Sequence, residues 1–534
     1  MSITTRNWTA GLLAAVVAIP AANAAFVSSA DAEEVVLRAV KHSALRVLDP
    51  IMTTAYMSRN HGYMIFDTLF ALDENFEPQP QMVDTWEVSD DQLTWTFTLR
   101  DGLLFHDGEL VTSDDVIASL RRWGERDAMG QELMRYTEEM NAVDDNTFEI
   151  VVSEPYGLML ESLGKPSSNV PFIMPQRLAE TDSTEPIPEQ IGSGPFVFVD
   201  EEFEPGAVAV YRKFEDYVPR DEEPSWMSGG KNVHVDRVEW VNIPDHGTAL
   251  NSVISGEIDW MENPPWDLIA VAENAPNVVG RQLQPLGSQG MMRMNFLHPP
   301  LDDPKVRQAI MYAVEQESYM QALVGPPEYY EVCGAMFMCG TPLETDIGSA
   351  PLLEQDLDRA RELLEESSYD GEPIVIMYPT DVITLSGYPP VTAQALEEAG
   401  FNVDLQATDW QTVVSRRASM DPPEEGGWHL FHTNWVGFDV ANPIVSQGLV
   451  AGGREAAWFG WPDFPEFEEL RRSFAAADGA EEQFAVAEQI QEQAYENVMY
   501  LPLGQYIEIA IFGDHLEGVL EGPAPIFWNI RKND

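Results

Sequence analysis

The chain has 534 residues with 89 acidic against 30 basic side chains, a formal net charge of −59 at pH 7. Repulsion of any polyanion excludes nucleic acid and anionic lipid as partners, while 44% apolar content and 14 tryptophans exclude a disordered chain. So acidic a chain, with only six lysines, suits a salt-rich habitat where its surface is screened.

Residues 1–24 read as a secretory signal. Arg6 is the only charged side chain before the apolar run 10–19, and Ala22-Asn23-Ala24 fits an A-x-A cleavage site. Ala30-Asp31-Ala32 is the alternative, ending at residue 32. No cysteine lies near it to carry a lipid anchor, and no other run reaches the roughly 20 apolar residues of a membrane span. The expectation is an exported, soluble, periplasmic protein. The remaining length is too great for one core and predicts two or three domains.

Val35 to Ala39 reads as a first strand, and a helix is expected over 56–69. Residues 82–122 form one strand–turn–strand–turn–helix unit. Thr94, Thr96 and Thr98 alternate with Trp95, Phe97 and Leu99, the period of a half-buried strand. Asp101-Gly102 and Asp107-Gly108 supply turns. Thr112 then N-caps a helix whose first turn carries Asp114 and Asp115, favourable at the positive end of the helix dipole. A glycine-rich turn at 191–198 enters a strand, which suits a structural turn and not a phosphate loop. A strand over 233–243 and a helix over 248–255, stopped by Gly256, follow.

Residues 284–296 are a candidate crossover, because their glycines permit a bend before an extended run. Asp303 caps the next helix with Pro304 at its first position, and Val306, Ile310 and Val314 form its buried stripe. The only cysteines, Cys333 and Cys339, are read as a local disulfide that pins a loop in an oxidising compartment. Helices over 356–365 and 390–399 flank a strand over 373–378, the alternation of a separate α/β domain. Residues 497–506 mirror the first crossover and lead into an apolar strand over 506–512.

Catalytic signatures are absent: there is no G-x-S-x-G elbow, H-E-x-x-H pair or P-loop. His429 and His432 sit three apart on a strand, so they face opposite sides and make poor co-ligands.

Several blocks carry a resemblance. The LRDG, FHDG and T-x-[DE]-DV pieces of 82–122, G-[ST]-GP-[FY] at 192–196, the helix–G-x-[IL]-D unit at 256–259 and PLDDPKVRQAI at 300–310 are similar to family 5 extracytoplasmic solute-binding proteins. That family comprises the peptide, nickel and related receptors of ABC importers. The resemblance implies an α/β, two-lobed periplasmic binding-protein fold (type II, cluster C-like) with a hinge of two crossover strands. Lobe I is expected at 33–288 plus 504–534, with an inserted subdomain at about 72–188, and lobe II at 289–503. It further implies a monomer without catalytic residues, metal or cofactor, which binds a small-molecule or peptide ligand and delivers it to an ABC permease. Short peptides lead as ligand, with opines, oligosaccharides and chelated metals behind them. A secreted hydrolase and a receptor serving a membrane chemoreceptor are the other classes considered.

In peptide-binding relatives a W-x-G-D motif supplies an aspartate for the ligand's α-amino group. Here Trp435-Val436-Gly437 matches, Phe438 takes the next place, and the acid follows at Asp439. Asp439 is therefore the expected ammonium partner, with Trp435 as an aromatic wall and Gly437 and Phe438 in the same loop. Capping its own loop is the competing role for Asp439. Tyr56 and Met57 are expected to face the cleft. Met291 and Arg293 flank the hinge, Arg293 either clamping a ligand carboxylate or forming a structural ion pair.

Overall fold

The computed structural model describes residues 34–477 and 479–533. The signal segment lies outside the described residues, among which no helix is long and apolar enough to cross a membrane.

Two large sheets organise the chain. The seven-stranded sheet runs Phe196–Phe198, Val208–Lys213, Arg237–Val241, Val36–Val40, Trp260–Met261, Ile509–Gly513 and Val278–Gln282. The six-stranded sheet runs Tyr330–Glu331, Leu501–Tyr506, Ser288–Met294, Leu430–Val436, Ile374–Pro379 and Val403–Thr408. A separate four-stranded antiparallel sheet, Val83–Val88, Thr94–Leu99, Thr147–Val152 and Thr137–Ala142, holds the first turn-rich unit. In it Phe97 and Leu99 are buried, as the alternation requires.

Between the two large sheets the chain passes twice. It leaves the seven-stranded sheet after Gln282 and enters the six-stranded one at Ser288; it returns between Tyr506 and Ile509. The passages are thus 283–287 and 507–508, where the sequence offered 284–296 and 497–506 as crossovers. Leu501–Tyr506 pairs along Ser288–Met294 as far as Ser288 opposite Tyr506, so Gly504 and Gln505 belong to the six-stranded sheet. The two passages cross closely: Gly287 has φ 67°, and a Cβ there would stand 2.6 Å from the Tyr506 carbonyl oxygen. Only glycine fits both demands.

Local rules fix most helix ends. The Asp115 carboxylate accepts from the Thr112 backbone N–H at 2.8 Å and its hydroxyl at 2.7 Å, starting Ser113–Gly124. Asp303 caps Pro304–Ala313, and Gly256 ends His246–Ser255 in the left-handed conformation. The helix expected over 56–69 is shorter, Tyr56–Ile65. Phe66 turns extended because the glycine turn seats against it: the Gly194 N–H donates to the Ile65 carbonyl at 2.9 Å. A Cβ at Gly192 would fall 1.9 Å from that oxygen. Beyond it, Asp67–Thr68 pairs with Phe172–Ile173 and Phe70–Leu72 with Pro78–Pro80. Cys333 and Cys339 are joined in a disulfide.

Candidate functional site

A cavity of about 900 Å³, mouth included, opens between the two large sheets beside the passages that join them. From the first sheet's side it is lined by the start of Tyr56–Ile65 and by Trp260, Glu262 and Asn263. From the second it is lined by Thr433 to Val436, Trp410 and Arg417. Leu283, Gln284 and Glu508 come from the passages themselves.

Tyr56 stands at the junction. Its hydroxyl donates to Asp439 Oδ2 at 2.7 Å and accepts from the Val436 N–H at 2.6 Å. Burial and the Asp439 carboxylate push its phenol far above the ordinary range, so it stays a donor. The Arg59 guanidinium lies 4.2 Å from the centre of its ring. Arg59 also donates to Ser167 Oγ at 2.6 Å, and Ser167 donates to Asp439 Oδ2 at 3.0 Å. Asp439 thus spans from the second sheet's strand end to two hydroxyls on the first side. Burial raises its carboxyl, against the pull of Lys165 and Arg59.

The cavity's other carboxylates differ. Burial would raise Glu262, but Lys41 at 2.7 Å and His42 at 3.1 Å hold it well below the carboxylate range. Among the described residues Glu508 accepts only from neutral donors, Asn263 Nδ2 at 2.7 Å and Ser288 Oγ at 3.0 Å. Burial, with Glu262 nearby, pushes it up to about 7.

Of the residues expected at the site, Tyr56 and Trp435 line the cavity. The Trp435 indole N–H donates to Met291 Sδ at 3.0 Å, so its outer edge is core. Met57 packs into the core of the seven-stranded sheet and does not line the cavity. Met291 is fully buried beneath Trp435. Arg293 is neither clamp nor ion pair: loops wrap over its strand, and the guanidinium donates to the carbonyls of Phe459 at 2.6 Å and of Gly448 and Met499 at 2.8 Å. Gly437 opens the turn Gly437–Asp439 against Leu286, where a Cβ would meet that side chain at 2.4 Å. Phe438 stacks 5.5 Å from Phe76 and meets Trp226 edge-on at 5.7 Å, an apolar contact across the same junction. His429 and His432 serve separate neighbours, the Val375 N–H and the Thr392 hydroxyl.

Sequence reasoning missed Arg417 and Glu508. Each left a faint signal: an Arg-Arg pair in a chain poor in bases, and one acid within the apolar run 507–512.

The model of the bacterial extracellular solute-binding proteins, family 5 middle, matches residues 77–454. The chain belongs to this family. A probable peptide ABC transporter periplasmic-binding protein of Sinorhizobium fredii is 38% identical to this family 5 protein, over 91% of this chain and 92% of that one. A glutathione-binding protein of Escherichia coli is 26% identical over 78% of each. Among solved structures, an agropinic acid complex of a periplasmic binding protein from A. tumefaciens R10 superposes with TM-score 0.79 at 20% identity, covering 93% of this chain and 99% of that one. A Pseudoalteromonas dipeptide-binding protein holding Met-Leu gives 0.78 at 18%, covering 93% and 100%. The family 5 protein shares their two-lobed periplasmic binding-protein fold.

Proposed function

We propose that this family 5 protein is the periplasmic substrate-binding component of an ABC importer, holding a short peptide between its lobes and presenting it to the membrane permease. The observation that carries the reading is the cavity at the two sheet-to-sheet passages, with polar and aromatic groups from both lobes on its walls. Two adjacent passages are the connection about which lobes close on a ligand. The division into lobes near 283–287 and 507–508 belongs to this proposal, as does export through the N-terminal segment. The peptide class is supported by the Sinorhizobium relative, whose similarity runs along nearly the whole chain.

The test is calorimetry and thermal melting on refolded protein, freed of carried-over solute. The panel contains dipeptides to pentapeptides, opines, oligosaccharides and nickel chelates. A peptide at about 100 times its Kd is expected to stabilise by about 2.7 kcal/mol. Stabilisation by sugars or chelates alone overturns the peptide class. No response to any solute overturns the receptor reading.

A further inference from the structure

Buried cations in this protein are matched with care. Arg122 donates to Asp49 at 2.8 Å, Lys231 to Asp67 at 2.7 Å and Lys41 faces Glu262, while Lys165 pairs with Asp127. Arg293 and Arg307 are saturated by carbonyls. Arg59, which lines the cavity without a described carboxylate within 4.0 Å, spends its guanidinium on Asn60 Oδ1, Ser167 Oγ and the Pro523 carbonyl. Arg417 breaks the pattern. It follows the helix Trp410–Arg416 and is 1% exposed, yet it lines the cavity. Its only hydrogen bonds among the described residues run from Nη2 to the hydroxyls of Thr53 at 3.3 Å and Thr54 at 3.2 Å. Nε has no partner. Aromatic rings stand around the guanidinium: Phe459 at 5.0 Å, Trp410 at 5.4 Å, Trp458 at 5.6 Å and Phe431 at 5.9 Å. In a chain with 89 acidic residues, no described carboxylate lies within 4.0 Å of it. A charge buried without a counter-charge is costly, and aromatic walls that exclude water strengthen its attraction for an anion.

Glu508 is the converse. It lines the same cavity from the second passage, and no described cation lies within 4.0 Å. Glu262, its acidic neighbour, already holds Lys41 and His42. A cation with a donor still free, Arg417, and an anion without a cation, Glu508, therefore share a cavity while having separate neighbours.

Resting on the receptor reading, we propose that Arg417 takes a carboxylate of the solute and Glu508 its ammonium group, so that the cavity selects zwitterions over neutral solutes. Both contacts are charge-assisted hydrogen bonds, and the planar, weakly hydrated guanidinium suits a carboxylate. Asp439 does not line the cavity: it stands behind Tyr56, its Oδ2 taken by two hydroxyls and its Oδ1 buried without a partner among the described residues, with Arg59 and Lys165 supplying positive field.

The experiment is calorimetry on the refolded full-length mature protein with Ala-Ala, Ala-Phe and Met-Leu, each also as its N-acetylated and C-amidated form. Blocking either end is expected to weaken binding about tenfold or more. Arg417→Met should weaken the free peptide and erase the difference between acid and amide. Glu508→Gln should erase the difference between free and acetylated forms. Blocked peptides that bind wild-type protein within about twofold of the free ones overturn the inference, whether or not either variant folds. Variants that fold and keep the wild-type discrimination do the same. If blocked peptides or sugars bind and free dipeptides do not, the inference falls and the receptor reading stands. If nothing binds, both fall.

Discussion

At the scale of single residues, Glu508 makes the binding reaction a proton-linked one. Its carboxyl titrates at about 7, raised from the usual carboxylate range by burial and by Glu262, against the Ser288 hydroxyl, His42 and Arg59; Asn263 also faces it. A raised carboxyl binds its proton more tightly folded than unfolded. Ionised Glu508 therefore costs stability, and its share of stability grows as pH falls through 7. Affinity for an ammonium runs the other way, since only the ionised form attracts it. Ala-Phe affinity is expected to fall from pH 8 to 6, approaching about tenfold per pH unit below the titration point. Glu508→Gln should flatten that part of the profile, leaving whatever His42 contributes; an unchanged slope in the variant refutes the linkage. Tyr56 and Trp435 were accessible from the sequence because family position and aromatic character both point to the cleft. Arg417 and Glu508 were not, because nothing local distinguishes a charge that will find a partner from one that will not. Only the packing of Trp410, Phe431, Trp458 and Phe459 around Arg417 leaves its Nε unmatched and its charge without a carboxylate.

At the scale of elements, the turn Gly437–Asp439 acts as a fastening at the end of the strand Leu430–Val436. Asp439 receives the Tyr56 and Ser167 hydroxyls, and Phe438 stacks against Phe76 and Trp226. If these contacts hold the closed form, losing them should show in ligand affinity more than in the melting of unliganded protein. Tyr56→Phe and Asp439→Ala are expected to weaken Ala-Phe binding alike, by about tenfold, with melting of the free protein little changed. If Asp439 instead holds the ligand's ammonium, Tyr56→Phe will be mild, Asp439→Ala severe, and N-acetylation will cease to matter in the latter. The elements themselves were legible wherever a local rule decides them. Thr112 with Asp115, Asp303 with Pro304 and Gly256 mark the ends at which the structure starts or stops helices. They were illegible where a distant segment decides. Ile65 ends its helix because Gly192 and Gly194 press on its carbonyl, and Tyr506 stays in the second sheet because Ser288 pairs with it.

At the scale of the whole molecule, folding sharpens the charge imbalance that the composition announces. Lys41, Lys165 and Lys231 are buried in ion pairs, half of the six lysines in the chain. Arg122, Arg293 and Arg417 are buried as well. Basic groups are thus drawn inward, while exposed acids such as Glu215, Glu222 and Asp358 cover the outside. The surface is left more uniformly negative than a count over the chain suggests, and a compact body of that charge repels itself. Screening relieves the repulsion: the Debye length shrinks from about 10 Å at 0.1 M salt to about 3 Å at 1 M. The buried pairs are screened far less, so added salt removes the penalty and leaves them intact. Melting temperature is therefore expected to rise by several degrees between 0.05 and 1 M NaCl, and equally in KCl, since the effect is one of ionic strength. Sucrose matched in osmolality separates screening from solute exclusion. A melting temperature that stays flat or falls with salt would show that the acidic surface is already accommodated in dilute buffer, and the salt-rich habitat would lose its physical basis.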